Sequence, residues 1–403
     1  MTYHFHLPNL PLATLIAALL LAALPAAWSQ SASKDLAVSP QTALFVTATN
    51  EPLRVLSSDG QAHLEYDLML TNALSVPATV TSVEVFDELD GSSLLRLEGD
   101  MLAAMSWPAA TGEAMDPIPG RGLAAVMVDV VVPPNAVPAS LTHKISYTLP
   151  DGLPGPALVA RAVDGFELVV DAREPVVIAP PLRGENWFNA NGCCDASAHR
   201  GSRWVVDGVR YVKPEMFAID WVRLGDGRLF RSDGSQVEQY FSYGAEVVSV
   251  AGGTVVYVKG DMPDTPPRTP PTTLKTLRDY AGNNVVVEIR PGVFVTYAHL
   301  QPGSPTVSVG DQVKTGQVLG LLGSSGNSDA PHLHFQLSDG PDLTAANSLP
   351  FVFDRYYHLG DIDPASMSDA TFTEADAPPL KIVGPARIEE GNLPLDLALQ
   401  AFR

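Results

Sequence analysis

Tyr243-Gly244-Ala245-Glu246-Val247-Val248-Ser249-Val250-Ala251-Gly252-Gly253-Thr254-Val255-Val256 reads as a strand, a glycine turn and a second strand. Val307-Ser308-Val309-Gly310-Asp311-Gln312-Val313-Lys314-Thr315-Gly316-Gln317-Val318-Leu319-Gly320 repeats that unit. Short valine-rich runs broken by glycine favour strands, so the pair predicts an internally duplicated antiparallel β-fold. Between the two units, Asp261 to Thr273 is rich in proline and threonine. Proline donates no ladder hydrogen bond, so this segment is expected to be a surface loop at the rim of a groove.

Downstream of the second unit, the glycine-rich run Gly320-Leu321-Leu322-Gly323-Ser324-Ser325-Gly326 leads into Pro331-His332-Leu333-His334-Phe335. On a strand, alternate side chains share a face, so His332 and His334 point the same way about 7 Å apart. Two imidazoles on a rigid strand are poor core packing and a natural start for a zinc site. Three more positions in the same glycine-rich region stand out. His299 lies in Val295-Thr296-Tyr297-Ala298-His299-Leu300, a strand running into a loop. Asp220 lies in the apolar strand Phe217-Ala218-Ile219-Asp220-Trp221, where an unpaired carboxylate is costly and requires a cation. Arg223 and Arg200 are candidate partners for it, as is a metal. His199 lies in the polar loop Ser197-Ala198-His199-Arg200-Gly201. Each of these residues taken singly has an ordinary explanation, as a surface histidine, an ion pair or a strand cap; together they point to a metal site.

Upstream, residues 40–172 read as short strands separated by turns, at the spacing of an immunoglobulin-like β-sandwich. Leu64, Tyr66, Leu68 and Leu70 alternate with Glu65, Asp67, Met69 and Thr71, the pattern of a strand with one buried face. This region lacks clustered histidines and acids, so its expected role is placement or recognition. Pro175 to Pro181 marks the passage to a second domain over 180–360, and residues 361–403 read as a C-terminal tail, with Leu380 to Phe402 docking back. The 403 residues carry 35 prolines, 32 glycines and a net charge of −20. The fold class is therefore all-β, and the charge argues against a nucleic-acid partner.

Leu12 to Leu24 is apolar but short for a bilayer span, and small residues follow it. Residues 1–29 are expected to be a signal peptide cleaved after Ala27 or Ser29, giving an exported, periplasmic or extracellular protein without a transmembrane span. An uncleaved anchor is the alternative. The two cysteines are adjacent, Cys193-Cys194. They have three options: a vicinal disulfide, pairing with another molecule, or the reduced state.

Residues 215–340 resemble the lysostaphin-type zinc endopeptidases, which cut peptide bonds in bacterial peptidoglycan. The resemblance rests on Phe217-Ala218-Ile219-Asp220-Trp221, Gly282-Asn283-Asn284-Val285-Val286-Val287, Tyr297-Ala298-His299-Leu300, Val309-Gly310-Asp311-Gln312-Val313, Gly323-Ser324-Ser325-Gly326-Asn327-Ser328 and Pro331-His332-Leu333-His334-Phe335. It implies the open antiparallel fold shared with biotinyl and lipoyl carriers, Zn2+ held by Asp220 and His334, and catalysis by His299 and His332. It further implies hydrolysis of a peptidoglycan peptide by metal-activated water. The family's remaining ligand is a histidine four residues before the aspartate, a position occupied here by Met216. His199 is the replacement by elimination and loop context, with Cys193 and Cys194 as rival donors. Two other readings share the scaffold. One is a non-catalytic regulator of cell-wall hydrolases, which the displaced ligand keeps open. The other is a biotinyl or lipoyl carrier, for which Lys314 lacks the flanking context.

Overall fold

The computed structural model describes residues 40–108, 117–151, 160–374 and 376–403. The segment read as a signal peptide lies outside them. The N-terminal half builds two antiparallel sheets. One runs Leu44–Ala48, Ala62–Asn72, Leu123–Val132 and Ser106–Pro108, with Leu53–Leu56 also paired to Ala62–Asn72. The other runs Ser93–Glu98, Thr79–Asp87, Ser140–Thr148 and Ala162–Val169. Leu64, Tyr66, Leu68, Val126 and Val128 of the first sheet and Val83, Val85, Leu141 and Ile145 of the second share one core, so the sheets face each other as a sandwich.

In this sandwich, strand Ala62–Asn72 departs from its alternating sequence. Its inner face is buried as the pattern predicts, but Glu65 and Asp67 on the outer face are also fully buried. The second half of the chain covers them and supplies Arg200, Arg203 and Lys213. Charged residues can be buried when opposite charges meet them there.

The second half is organised by an eleven-stranded sheet. Its central strands, in order, are Gly253–Lys259, Asn283–Arg290, Val293–Leu300, Leu333–Ser338, Ile219–Arg223 and Gly184–Asn189. The two duplicated units pair reciprocally. Glu246–Val248 of the first joins Val318–Leu321 of the second, and Gly253–Lys259 joins Gln312–Val313. Asp261 to Thr273 contributes no strand, and its Asp264 and Thr265 are pinned to the turn at Ser324 and Gly326.

Residues 361–403 are not a tail. The boundary at 360/361 cuts through strand Tyr356–Ile362, and Ala398–Phe402 lies inside the sheet between that strand and Gly184–Asn189. All five residues of Ala398–Phe402 are buried, which explains why so short a run holds a sheet position. Residues from Gln41 to Arg403 cluster as one compact unit. Leu53 and Val55 of the sandwich belong to the same core as Trp221, Tyr297 and Phe335. Among the described residues, no helix is long and apolar enough to cross a membrane.

Candidate metal centre

The centre is built on two adjacent strands. Ile219–Arg223 sends Ile219 and Trp221 into the main core, and Leu333–Ser338 sends Leu333, Phe335 and Leu337 there. Period-two alternation leaves Asp220, His334 and Gln336 on the opposite face. The register pairs Asp220 directly with His334, and the next strand sets Ala298 against His334, with His299 following it. Met216 packs in the core beside Phe217 and is unable to supply a ligand there.

His199 arrives from a separate direction, on the four-residue helix Ala198–Gly201, whose Ser197 side chain accepts from the Arg200 amide. Its Nε2 is 3.2 Å from Asp220 Oδ2. His334 Nδ1 is 3.0 Å from Asp220 Oδ1, and His332 Nε2 is 3.5 Å from the same oxygen. Donor atoms of His199, Asp220 and His334 lie within 4.8 Å of one another. The rings of His299 and His332 lie 4.5 Å apart, beside this group. The five residues singled out in the sequence therefore converge at one site.

Carbonyl oxygens occupy the far nitrogen of each imidazole. His199 Nδ1 donates to Ala218 O at 3.2 Å, His299 Nδ1 to Ser325 O at 2.7 Å and His332 Nδ1 to Ala330 O at 2.8 Å. Gln336 spends its amide nitrogen on Pro214 O, so its Oε1 accepts from His334 Nε2 at 2.8 Å. Each ring thus turns its other nitrogen inward. Those of His199, His332 and His334 surround one carboxylate, an arrangement that needs a proton or a cation at its centre. Without an ion, burial opposes charge on His199 but the Asp220 carboxylate outweighs it and raises the ring to about 9. Burial also opposes the charge of Asp220, yet His199 and then His332 hold its carboxyl well below the usual range. Burial, followed by the neighbouring His332 and His334, drives His299 well below its ordinary value. Two nitrogens and a carboxylate oxygen from separate elements form a donor set that suits a divalent metal.

His299 has a left-handed backbone, φ +60°, which is costly for a residue with a Cβ and concentrates at functional sites. Its carbonyl accepts from Gly323 N at 3.0 Å, so both its backbone and its ring are tied to the glycine-rich run. The cleft over these groups holds about 370 Å3 and is lined also by Asn191, Glu215, Tyr240, Tyr280 and Phe372. Asn191 donates to Asp220 Oδ2 at 3.0 Å. Sequence reading did not select Asn191 or Gln336. Gln336 carried a signal, since it lies two residues beyond His334 on the same strand face.

Arg200 does not pair with Asp220; it turns to Glu65 and Asp67 instead. Cys193 and Cys194 form a disulfide with each other and belong to the main hydrophobic core. A second set of donors, His63, Glu65 and Cys194, also lies within 4.8 Å. Its sulfur is committed to that disulfide, its carboxylate to Arg200 and its imidazole to Asp129.

Residues 237–345 match the model of Peptidase family M23. Lysostaphin of Staphylococcus simulans is 47% identical over 58 residues, covering 14% of this chain and 11% of that protein. Glycyl-glycine endopeptidase ALE-1 of Staphylococcus capitis is 47% identical over 58 residues, 14% of this chain and 16% of its own. The cell division protein DipM of Caulobacter vibrioides is 31% identical over 113 residues, 28% of this chain and 15% of its own. These matches span no more than about a sixth of the length of the curated relatives. Among solved structures, the catalytic domain of lysostaphin from Staphylococcus simulans aligns at 20% identity over 41% of this chain and 88% of its own, with a TM-score of 0.22. The family match takes in His299, His332 and His334, and residues 237–345 are therefore similar to the lysostaphin-type M23 peptidases, while His199 and Asp220 lie upstream of the matched residues.

Proposed function

We propose that this protein is an exported zinc-dependent endopeptidase that hydrolyses peptide bonds in peptidoglycan crosslinks. The observation that carries the reading is the convergence of His199, Asp220 and His334 donor atoms within 4.8 Å, with His299 and His332 beside them in an open cleft. In this reading His199 Nε2, Asp220 and His334 Nδ1 hold the metal. When bound, Zn2+ polarises the scissile carbonyl and lowers the pKa of water toward neutrality.

The chain's own groups then handle the protons. His299 and His332 both line the cleft with Nδ1 fixed on a carbonyl, and His332 turns its Nε2 toward Asp220 Oδ1 at 3.5 Å. One would accept at Nε2 the proton released in attack, and the other, with Nδ1–H already given to a carbonyl, would stabilise the developing oxyanion from Nε2 as an imidazolium carrying both protons. Gln336 and the carbonyl of Ala218 keep His334 and His199 in the tautomers that ligation needs. Similarity to lysostaphin and to ALE-1, named as a glycyl-glycine endopeptidase, supports the choice of peptide substrate.

The test is incubation of the purified, zinc-loaded protein with sacculi, followed by mass analysis of released fragments. Release of crosslink-cleaved peptides, abolished in His334→Ala, is the expected result. Full zinc occupancy without any released peptide overturns it in favour of a non-catalytic regulator of cell-wall hydrolases. That second reading draws on the displacement of one ligand to a position 21 residues before Asp220.

A further inference from the structure

Twenty residues separate His199 from Asp220, and they form the hairpin Trp204–Val206 with Arg210–Val212. A ligand so far from its partner in sequence needs its segment closed by something else. The helix that carries it has four residues, too few to hold a direction by itself. Hairpin residues Val205, Val209 and Tyr211 are exposed, whereas Met216, Phe217 and Ile219 sit in the main core, so core packing holds the Asp220 end of the segment and leaves the hairpin and the His199 end to other contacts.

Three cations flank the hairpin, and all three reach one carboxylate of the sandwich. Arg200, next to the ligand, places NH1 3.2 Å from Asp67 Oδ1. Arg203, at the entry, and Lys213, at the exit, lie 2.9 and 2.8 Å from Asp67 Oδ2. Arg200 also meets Glu65 at 2.6 Å, and Lys213 donates to the backbone carbonyl of Arg200. Asp67, Glu65 and Arg200 have no solvent exposure. Asp67 belongs to strand Ala62–Asn72, held by strands on both sides, and so offers a rigid anchor.

We propose that Asp67 of the sandwich is a positioning residue for the metal centre: it clamps both ends of the segment that delivers His199, making the N-terminal sandwich part of the site. The inference rests on His199 being a ligand. Adjacent residues on a helix point about 100° apart, so the direction in which Arg200 is pulled sets the direction His199 faces. Groups that orient a ligand typically change metal affinity about 10–100-fold when removed.

The experiment measures zinc dissociation constants by chelator competition on the full chain, with the visible spectrum of the Co2+ form and Tm recorded alongside. Variants are Asp67→Asn, Arg203→Gln, His199→Ala and Val83→Ala, the last a control in the sandwich core that touches none of the clamp. Asp67→Asn and Arg203→Gln are expected to weaken zinc binding about 10-fold or more and to alter the Co2+ bands, while Val83→Ala lowers Tm and leaves both unchanged. Arg203→Gln carries the test if Asp67→Asn does not fold. Wild-type affinity and spectrum in the clamp variants, with affinity lost in His199→Ala, overturn the clamp. Wild-type affinity in His199→Ala overturns the ligand assignment and the clamp with it.

Discussion

Asp220 and His334 are opposed across neighbouring antiparallel strands, with His334 Nδ1 3.0 Å from Asp220 Oδ1. A β-ladder therefore fixes their spacing, whereas His332 precedes its strand and His299, near the end of Val293–Leu300, is tied to the glycine-rich run. His334→Ala is expected to lose both metal and hydrolysis. His299→Ala and His332→Ala should keep the metal and lose about 10²- to 10⁴-fold in rate. Zinc stoichiometry measured beside peptide release separates the roles; an empty site in His332→Ala with a full one in His334→Ala would reverse them.

Gln336 sets the tautomer of His334, since its amide is spent on Pro214 O. Gln336→Leu removes the acceptor and should weaken metal binding about 10–100-fold. Gln336→Glu retains an acceptor and should restore most of it. Competition with a chelator reads both, and equal affinities for the two variants would contradict this account.

The disulfide between Cys193 and Cys194 leaves no thiolate for the metal. The double variant Cys193→Ser/Cys194→Ser is expected to retain metal at the wild-type stoichiometry. Metal loss in this variant with retention in His199→Ala would return the cysteines to the ligand set.

Gly282 has φ +58°, and a Cβ there would lie 2.3 Å from Ser325 O, the carbonyl that holds the His299 ring. Gly282→Ala should cost more than about 1 kcal/mol of stability and reduce hydrolysis beyond what Tm accounts for. Denaturant unfolding and turnover on the same preparation check both parts.

His143 in the sandwich accepts from Tyr66 Oη at 2.7 Å and donates to Phe166 O. Burial pushes its pKa down to about 4. Its folded value lies below the unfolded one, so the unfolded chain binds more protons between about pH 6.5 and pH 4. Stability is present above that window and lost through it as pH falls, by up to about 3 kcal/mol. Urea unfolding from pH 7 to pH 4 should show this slope in the wild type and a shallower one in His143→Gln.

The centre was readable where local pattern carries chemistry. HxH on one strand face and an acid within an apolar run both signal metal chemistry through residue types and period two. The burial of Glu65 and Asp67 was not readable. Their alternation with leucines is that of a solvated face, and their partner Arg200 lies 133 positions beyond Asp67. Strand Ala398–Phe402 was missed as a strand for a related reason, since a five-residue buried run has no periodicity to read. Gln336 and Asn191 are amides, which sequence marks as ordinary polar residues until their partners are known.

Asn189, at the end of a strand next to the one bearing Asp220, donates to Leu395 O across 206 positions of sequence. Pairings between such distant segments form slowly, after large loops have closed. During synthesis, the early part of the chain has no partner for that edge until Ala398–Phe402 has been made. The strand beside the one bearing Asp220 therefore gains its outer partner only once nearly the whole chain is available to fold.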